Sequence, residues 1–199
     1  MKLTLDDIFD LRAYEREREG FRARIIELKR LRRVSVGPVV TLVFENRDTI
    51  RFQIQEMARA ERILTDEGIQ AELDVYNALI PEAGQLSATL FVELTSEEEM
   101  HHWLPRLVGI ERAVVVRADG TEVRCIPEEE HEAQLTRDAI TASVHYIRFE
   151  FTPEQVEAFS AGPVRLGVDH PEYKEETELS ETTRMSLLED LQGGAGRPS

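Results

Sequence analysis

The stretch from Val34 to Leu64, VSVGPVVTLVFENRDTIRFQIQEMARAERIL, restricts the fold more than any other part of the chain. Val40, Leu42 and Phe44 alternate with Val39, Thr41 and Val43, and Ile50, Phe52 and Ile54 alternate with Thr49, Arg51 and Gln53. That period of two belongs to half-buried strands. Glu45-Asn46-Arg47-Asp48 reads as the turn between them. Beyond Ile54 the period lengthens to that of a helix, with Met57 and Leu64 on one side and Glu56, Arg59 and Arg62 near another. A hairpin running straight into a helix needs a sheet for the helix to lie on.

The flanking sequence supplies both. Thr4 with Asp7 caps a helix start, and Leu11, Tyr14, Phe21, Ile25, Leu28 and Leu31 follow at helical spacing, giving a long N-terminal helix in which Gly20 marks a point of kinking. Asp66-Glu67-Gly68 breaks the helix after the hairpin, and a further helix runs from Ile69 to Ile80, closed by Pro81. Leu86 to Leu94 alternates as a strand, and Ser96 with Glu99 forms a capping box ahead of a helix over Glu97 to Leu107. Asp119-Gly120 between Ala113–Arg117 and Thr121–Ile126 is a strong hairpin signal. Glu128 to Ala139 reads as a loop or ragged helix. Ala142 to Phe151 is the longest strand candidate, Thr152-Pro153 with Gln155 starts a helix, Val164 to Val168 is the last strand, and Ser180 caps a C-terminal helix carrying Met185, Leu188 and Leu191. The expected fold is α+β: a single domain over residues 1–192 with an antiparallel-rich sheet, helices on at least one face, and a disordered tail from Gly193 to Ser199.

Charge narrows the function classes. The chain of 199 residues has a net charge of −15, which argues against nucleic acid, since its binders cluster Lys and Arg. Arg12 to Arg33 departs from this, with nine basic and four acidic residues, while the rest of the chain carries 15 basic and 35 acidic. This basic helix either faces an anionic partner or membrane surface, or lies on its own acidic domain; the second is favoured because the counter-charge is already in the chain. No apolar run approaches the length of a membrane span, and the first twenty residues lack a signal-peptide core, so a cytoplasmic protein is expected. The single cysteine, Cys125, rules out an intrachain disulfide and reads as a small packed residue rather than a redox group.

Chemistry-bearing patterns are sparse, with no nucleotide-binding loop, zinc-protease helix or nucleophile elbow. Glu56, Arg59, Glu61 and Arg62 are either a ligand- or partner-binding group or a self-paired helix face. By strand parity His145 shares a face with Ile147 and Phe149, and His170 continues the row of Val164, Leu166 and Val168. With Asp169 and Glu172 they form a candidate site for a divalent metal, beside Tyr173; the competing reading is two hydrogen-bonded core histidines. His101 and His102 diverge on a helix and chelate poorly, and Glu128-Glu129-Glu130-His131-Glu132 is a charge run of the kind usually solvated. If the inward rows line one sheet, Glu56, Arg59, His170 and Tyr173 border one groove walled by Tyr76 and Asn77, unless the strand ends lie at opposite edges.

The segments FQIQEMARAERI, YNALIPEAGQLSATLFVEL, SVHYIRFEF and VDHPEY resemble a bacterial family known as domain of unknown function 3501 (DUF3501), over nearly the whole chain from Leu3 to about Gln192. The family carries no established activity, so the resemblance implies no catalytic residues. What it implies is context, because such proteins look like companions of rubrerythrin-type and iron–sulfur oxidoreductase proteins. Two functions are therefore expected: a non-catalytic accessory protein of such a redox or iron-handling partner, or a divalent-metal-binding protein or enzyme using His145, His170 and a carboxylate from Asp169, Glu172 or Glu56.

Overall fold

A computed structural model describes residues 1–128 and 140–193. Helix α1 (Leu11–Arg32) starts where the Asp10 carboxylate accepts from the Ala13 amide at 2.8 Å. It passes through Gly20 without interruption and turns Tyr14, Phe21, Ile25 and Arg32 inward. Thr4 and Asp7 cap a separate single turn before it.

The chain then forms β1 (Arg33–Val36) and β2 (Val40–Glu45). The hairpin expected around Asn46 is therefore displaced to Gly37, which supplies the left-handed φ of 70° that the tight turn needs. Asn46 is not in a turn. Its side-chain oxygen accepts from the Asp48 and Thr49 amides at 3.1 and 3.0 Å, and the Thr49 hydroxyl accepts from the Asn46 amide at 2.9 Å. That reciprocal cap starts α2 (Arg47–Glu61), so Thr49 to Ile54 is helix where a strand is expected. The alternation misleads because Ile50, Ile54 and Ala58 are spaced by four, which fits a helix face as well as a strand face.

The break before the next helix falls at Arg62, whose φ is 55°, rather than at Gly68. Thr65 caps α3 (Asp66–Tyr76) by accepting from the Gly68 amide at 3.2 Å, and the helix runs on through that glycine. Next come β3 (Gln85–Val92), α4 (Glu97–Trp103), β4 (Val114–Ala118), β5 (Thr121–Arg124) and β6 (Ile126–Pro127). After them lie β7 (Val144–Glu150), α5 (Pro153–Ala161), β8 (Val164–His170), β9 (Tyr173–Glu178) and α6 (Glu181–Leu191). Strand β9 is unexpected from its sequence, YKEETE, because it is an exposed edge with little apolar alternation. The expected loop or helix after Glu128, and nearly all of the expected disordered tail, lie outside the described residues.

The strands form two antiparallel sheets where one is expected: β1-β2-β3-β7-β6 and β5-β4-β8-β9. Leu42, Phe44, Leu90, Ile147 and Phe149 of the first share one apolar core with Val114, Val116, Leu166 and Val168 of the second. Glu45, Ser87, Thr89 and Tyr146 fall by alternation on the other face of the first sheet, under the helical layer of α1, α2 and α3. In that layer Ile50, Ile54, Leu73 and Leu79 pack together. Strand β2 is therefore buried on both faces. The order of layers is helices, five-stranded sheet, four-stranded sheet.

Candidate functional site

The charged constellation on α2 is part of the packing between helices. Glu56 accepts from Nε and Nη2 of Arg18, each at 2.8 Å, and from the Tyr14 hydroxyl at 2.7 Å. The Arg18 guanidinium holds the Glu56 carboxyl below its ordinary range, against the opposing effect of burial. Burial and the Glu56 carboxylate together push the Tyr14 hydroxyl upward. Arg59 reaches back to Glu15 at 2.6 Å. Charge-assisted bonds between α1 and α2 thus rim the apolar contact of Phe21 with Phe52, whose rings meet edge-on at 5.6 Å.

Both histidines point into the layer between the sheets, as strand parity requires. Each ring is held locally. His170 shares its hydrogen on Nε2 with the Val108 carbonyl at 3.0 Å, while Nδ1 accepts from the Glu172 amide at 3.2 Å. With Nε2 turned to a backbone carbonyl and Nδ1 to a backbone amide, neither ring nitrogen is left open toward a metal. The His145 Nε2 lies 2.9 Å from the Thr141 hydroxyl and 2.9 Å from the Ala142 carbonyl. Asp169 faces the opposite side of β8, where Arg117 crosses Gly167 to reach Asp169, Glu122 and Glu176. Among the described residues no group of three or more His, Cys, Asp or Glu side chains comes together to hold a metal ion. The expected set of His145, His170, Asp169 and Glu172 is therefore not assembled, because alternation on β8 sends Asp169 outward when it sends His170 inward.

The expected common groove is not formed either. Glu56 and Arg59 belong to the helical layer and His170 and Tyr173 to the four-stranded sheet, with the five-stranded sheet between them. Arg59 lines a cleft of about 190 Å³ between the N-terminal segment, the end of α2 and the start of α3. Tyr76 lines a different cavity, on the outer face of the five-stranded sheet. Asn77 is a clamp on the chain's start, accepting from the Leu3 amide at 2.8 Å and donating to the Leu3 carbonyl at 3.0 Å. Tyr173 is buried and donates to the Val36 carbonyl at 2.6 Å, tying β9 to the turn at Gly37. Cys125 is buried and donates to the Glu111 carbonyl, and burial pushes its thiol up to about 12, the behaviour of a packed residue.

The basic helix divides its charges. Arg18, Lys29 and Arg32 turn toward the domain, where they meet Glu56, Glu45 and Asp190. At helical spacing along the opposite face lie Arg12, Arg16, Glu19, Ala23, Ile26 and Arg30, all exposed. Arg30 pairs with Glu27 of the same helix, and Ile26 is 48% exposed. This outer face, with Arg12 and Arg16 toward its N-terminal end and Ile26 with Arg30 toward its C-terminal end, is a feature that the sequence pattern alone does not separate from the rest of the helix. The signal was the spacing of Arg12, Arg16 and Arg30 out of phase with Tyr14, Phe21 and Ile25.

The sequence profile of DUF3501, described as a protein of unknown function, matches residues 2–191. The chain is also similar to a solved structure from Burkholderia pseudomallei, a novel protein of unknown function, at 40% identity and a TM-score of 0.88. That similarity covers 96% of this chain and 100% of the other. No curated protein matches. No helix among the described residues is long and apolar enough to cross a membrane.

Proposed function

We propose that this chain, which belongs to the DUF3501 family of proteins of unknown function, is a cytoplasmic accessory protein that does no catalysis of its own. Its partner is a redox or iron-handling protein of the rubrerythrin or iron–sulfur oxidoreductase type, and it docks an acidic patch of that partner through the outer face of α1. The observation that carries this reading is the division of charge on α1: the inward cations face Glu56, Glu45 and Asp190, while Arg12, Arg16 and Arg30 lie exposed along the same outer face as Ile26. In a chain of net charge −15, a local cationic stripe steers one orientation of approach, and an acidic rim elsewhere repels the wrong one.

The test is affinity capture of a purified rubrerythrin-type or iron–sulfur oxidoreductase partner, at low and moderate salt, by the wild type and by Arg12→Glu/Arg16→Glu/Arg30→Glu. Capture by the wild type should weaken as screening shortens to about 10 Å or less at 0.1 M and above. The triple variant should lose capture at low salt as well, while unfolding at the same temperature. Equal recovery by both proteins, or recovery by neither, overturns the reading.

A further inference from the structure

A cavity of about 170 Å³ lies on the outer face of the five-stranded sheet, beneath α1, α2 and the end of α3. Its polar wall is Glu45, which closes the apolar run of β2 and is sent by alternation to the helical side. The residue is 6% exposed. Its Oε1 accepts from the Thr89 hydroxyl at 2.7 Å, but its Oε2 is buried with no hydrogen-bond partner. The ammonium of Lys29 stands 3.9 Å from that oxygen, too far for a hydrogen bond. Ser87, which pairs with Glu45 across β2 and β3, also carries a buried hydroxyl without a partner. Ser87 does not line the cavity, but the Glu45 carboxylate does, and a buried carboxylate oxygen left unmatched against a cavity calls for a partner that a bound ligand would supply.

The remaining wall carries three aromatic rings, Tyr76, Phe91 and Tyr146, beside Ile50 and Leu79, with the Gln53 amide and the Thr89 hydroxyl as further polar groups. Burial raises both tyrosine hydroxyls, and the nearness of Tyr76 and Glu45 raises Tyr146 further, so both are neutral phenols at physiological pH. An apolar cavity of about 150 Å³ admits one benzene ring, so this space suits a single ring. The polar wall selects its edge. A cationic ligand would meet Lys29, and an anionic ligand would meet Glu45. A neutral edge with a donor beside an acceptor satisfies both.

We propose that this cavity binds a small, neutral, planar heterocycle with a lactam edge, whose N–H donates to Glu45 Oε2 and whose carbonyl accepts from Lys29 Nζ. The ring lies against Tyr76, Phe91 and Tyr146. The site is independent of the outer face of α1, so it stands or falls separately from partner docking.

The probe is 2-pyridone, titrated into the full chain labelled at its four tyrosines and followed by NMR. Saturable shifts are expected at Tyr76 and Tyr146 while Tyr14 and Tyr173 stay still. N-methyl-2-pyridone lacks the donor and should bind at least tenfold more weakly, a comparison that leaves the protein unaltered. Lys29→Met, at a side chain 33% exposed, should fold and also lose at least tenfold. Benzylamine and benzoate should bind more weakly than 2-pyridone. No saturable shift in the millimolar range overturns the proposal, as does equal binding of the N-methyl analogue, tighter binding of benzylamine or benzoate, or unchanged affinity in Lys29→Met.

Discussion

Replacing Arg32 tests the joint where three parts of the chain meet. Its side chain is 1% exposed at the C-terminus of α1. Nε donates to the Phe44 carbonyl at 2.9 Å, Nη2 to the Glu45 carbonyl at 3.2 Å and to the Asp190 carboxylate, and Nη1 to the Ser186 hydroxyl at 3.0 Å. Arg32→Met keeps most of the volume and removes all these donors. It leaves the Asp190 carboxylate, 8% exposed, without its counter-ion. Breaking one side of a buried pair costs about 3–5 kcal/mol, a large share of the roughly 5–15 kcal/mol that holds a domain. Urea unfolding followed by far-UV circular dichroism should show that loss with an unchanged slope. The melting temperature should fall by roughly 6–20 °C, at about 2–4 °C per kcal/mol for a domain of this size. Because much of the cost is the orphaned charge, Arg32→Met/Asp190→Leu should be more stable than Arg32→Met. A single variant within about 1 kcal/mol of wild type, or a double variant less stable than the single, refutes the reasoning.

Three further outcomes are expected. Tyr173→Phe loses the bond to the Val36 carbonyl and the one accepted from the Val39 amide at 3.2 Å, and should cost about 1–3 kcal/mol in urea unfolding. Gly37→Ala should cost more than Tyr173→Phe in the same assay, since its φ is +70° and an added methyl would lie 2.4 Å from the Tyr173 hydroxyl and from Glu175 Cγ. Glu56 has a folded pKa lowered from 4.5, chiefly by Arg18. Its contribution is therefore full above pH 4.5 and lost as pH falls through the folded value. Melting temperatures measured from neutral to acid pH should decline less steeply for Glu56→Gln than for wild type; parallel curves would remove Glu56 from the acid response.

The metal expectation shows how far strand parity carries and where it stops. Parity placed both His145 and His170 in the layer between the sheets. It also dictates that Asp169, adjacent to His170, faces away, so a carboxylate next in sequence is the wrong one to recruit. Three of the groups that meet the rings, the carbonyls of Ala142 and Val108 and the Glu172 amide, are backbone groups that no side-chain pattern announces. The accessory-protein reading came from family likeness and from charge asymmetry, and the structure sharpened only the second, by separating the paired from the outward cations of α1.

The sequence alone determined what neighbouring residues decide among themselves. The caps of Ser96 with Glu99 and Thr152 with Gln155, the Asp119-Gly120 hairpin, the burial of Tyr14, Phe21 and Ile25 on α1 (though not of Leu31, which is exposed) and the alternation of β3, β7 and β8 appear where local pattern puts them. These depend on hydrogen bonds and side-chain directions within a few residues, so their signal survives without the rest of the chain. Tertiary structure decided the remainder. Ile50 and Ile54 satisfy strand and helix periods alike, and the Asn46 cap together with the apolar layer beneath selects the helix. The division of the strands into two sheets, the joining of Arg32 to Asp190 across 158 positions, and the burial of Glu45 beneath three helices follow from which surfaces meet. Burial is a property of the covered face, and no residue carries in its own neighbourhood the identity of what will cover it.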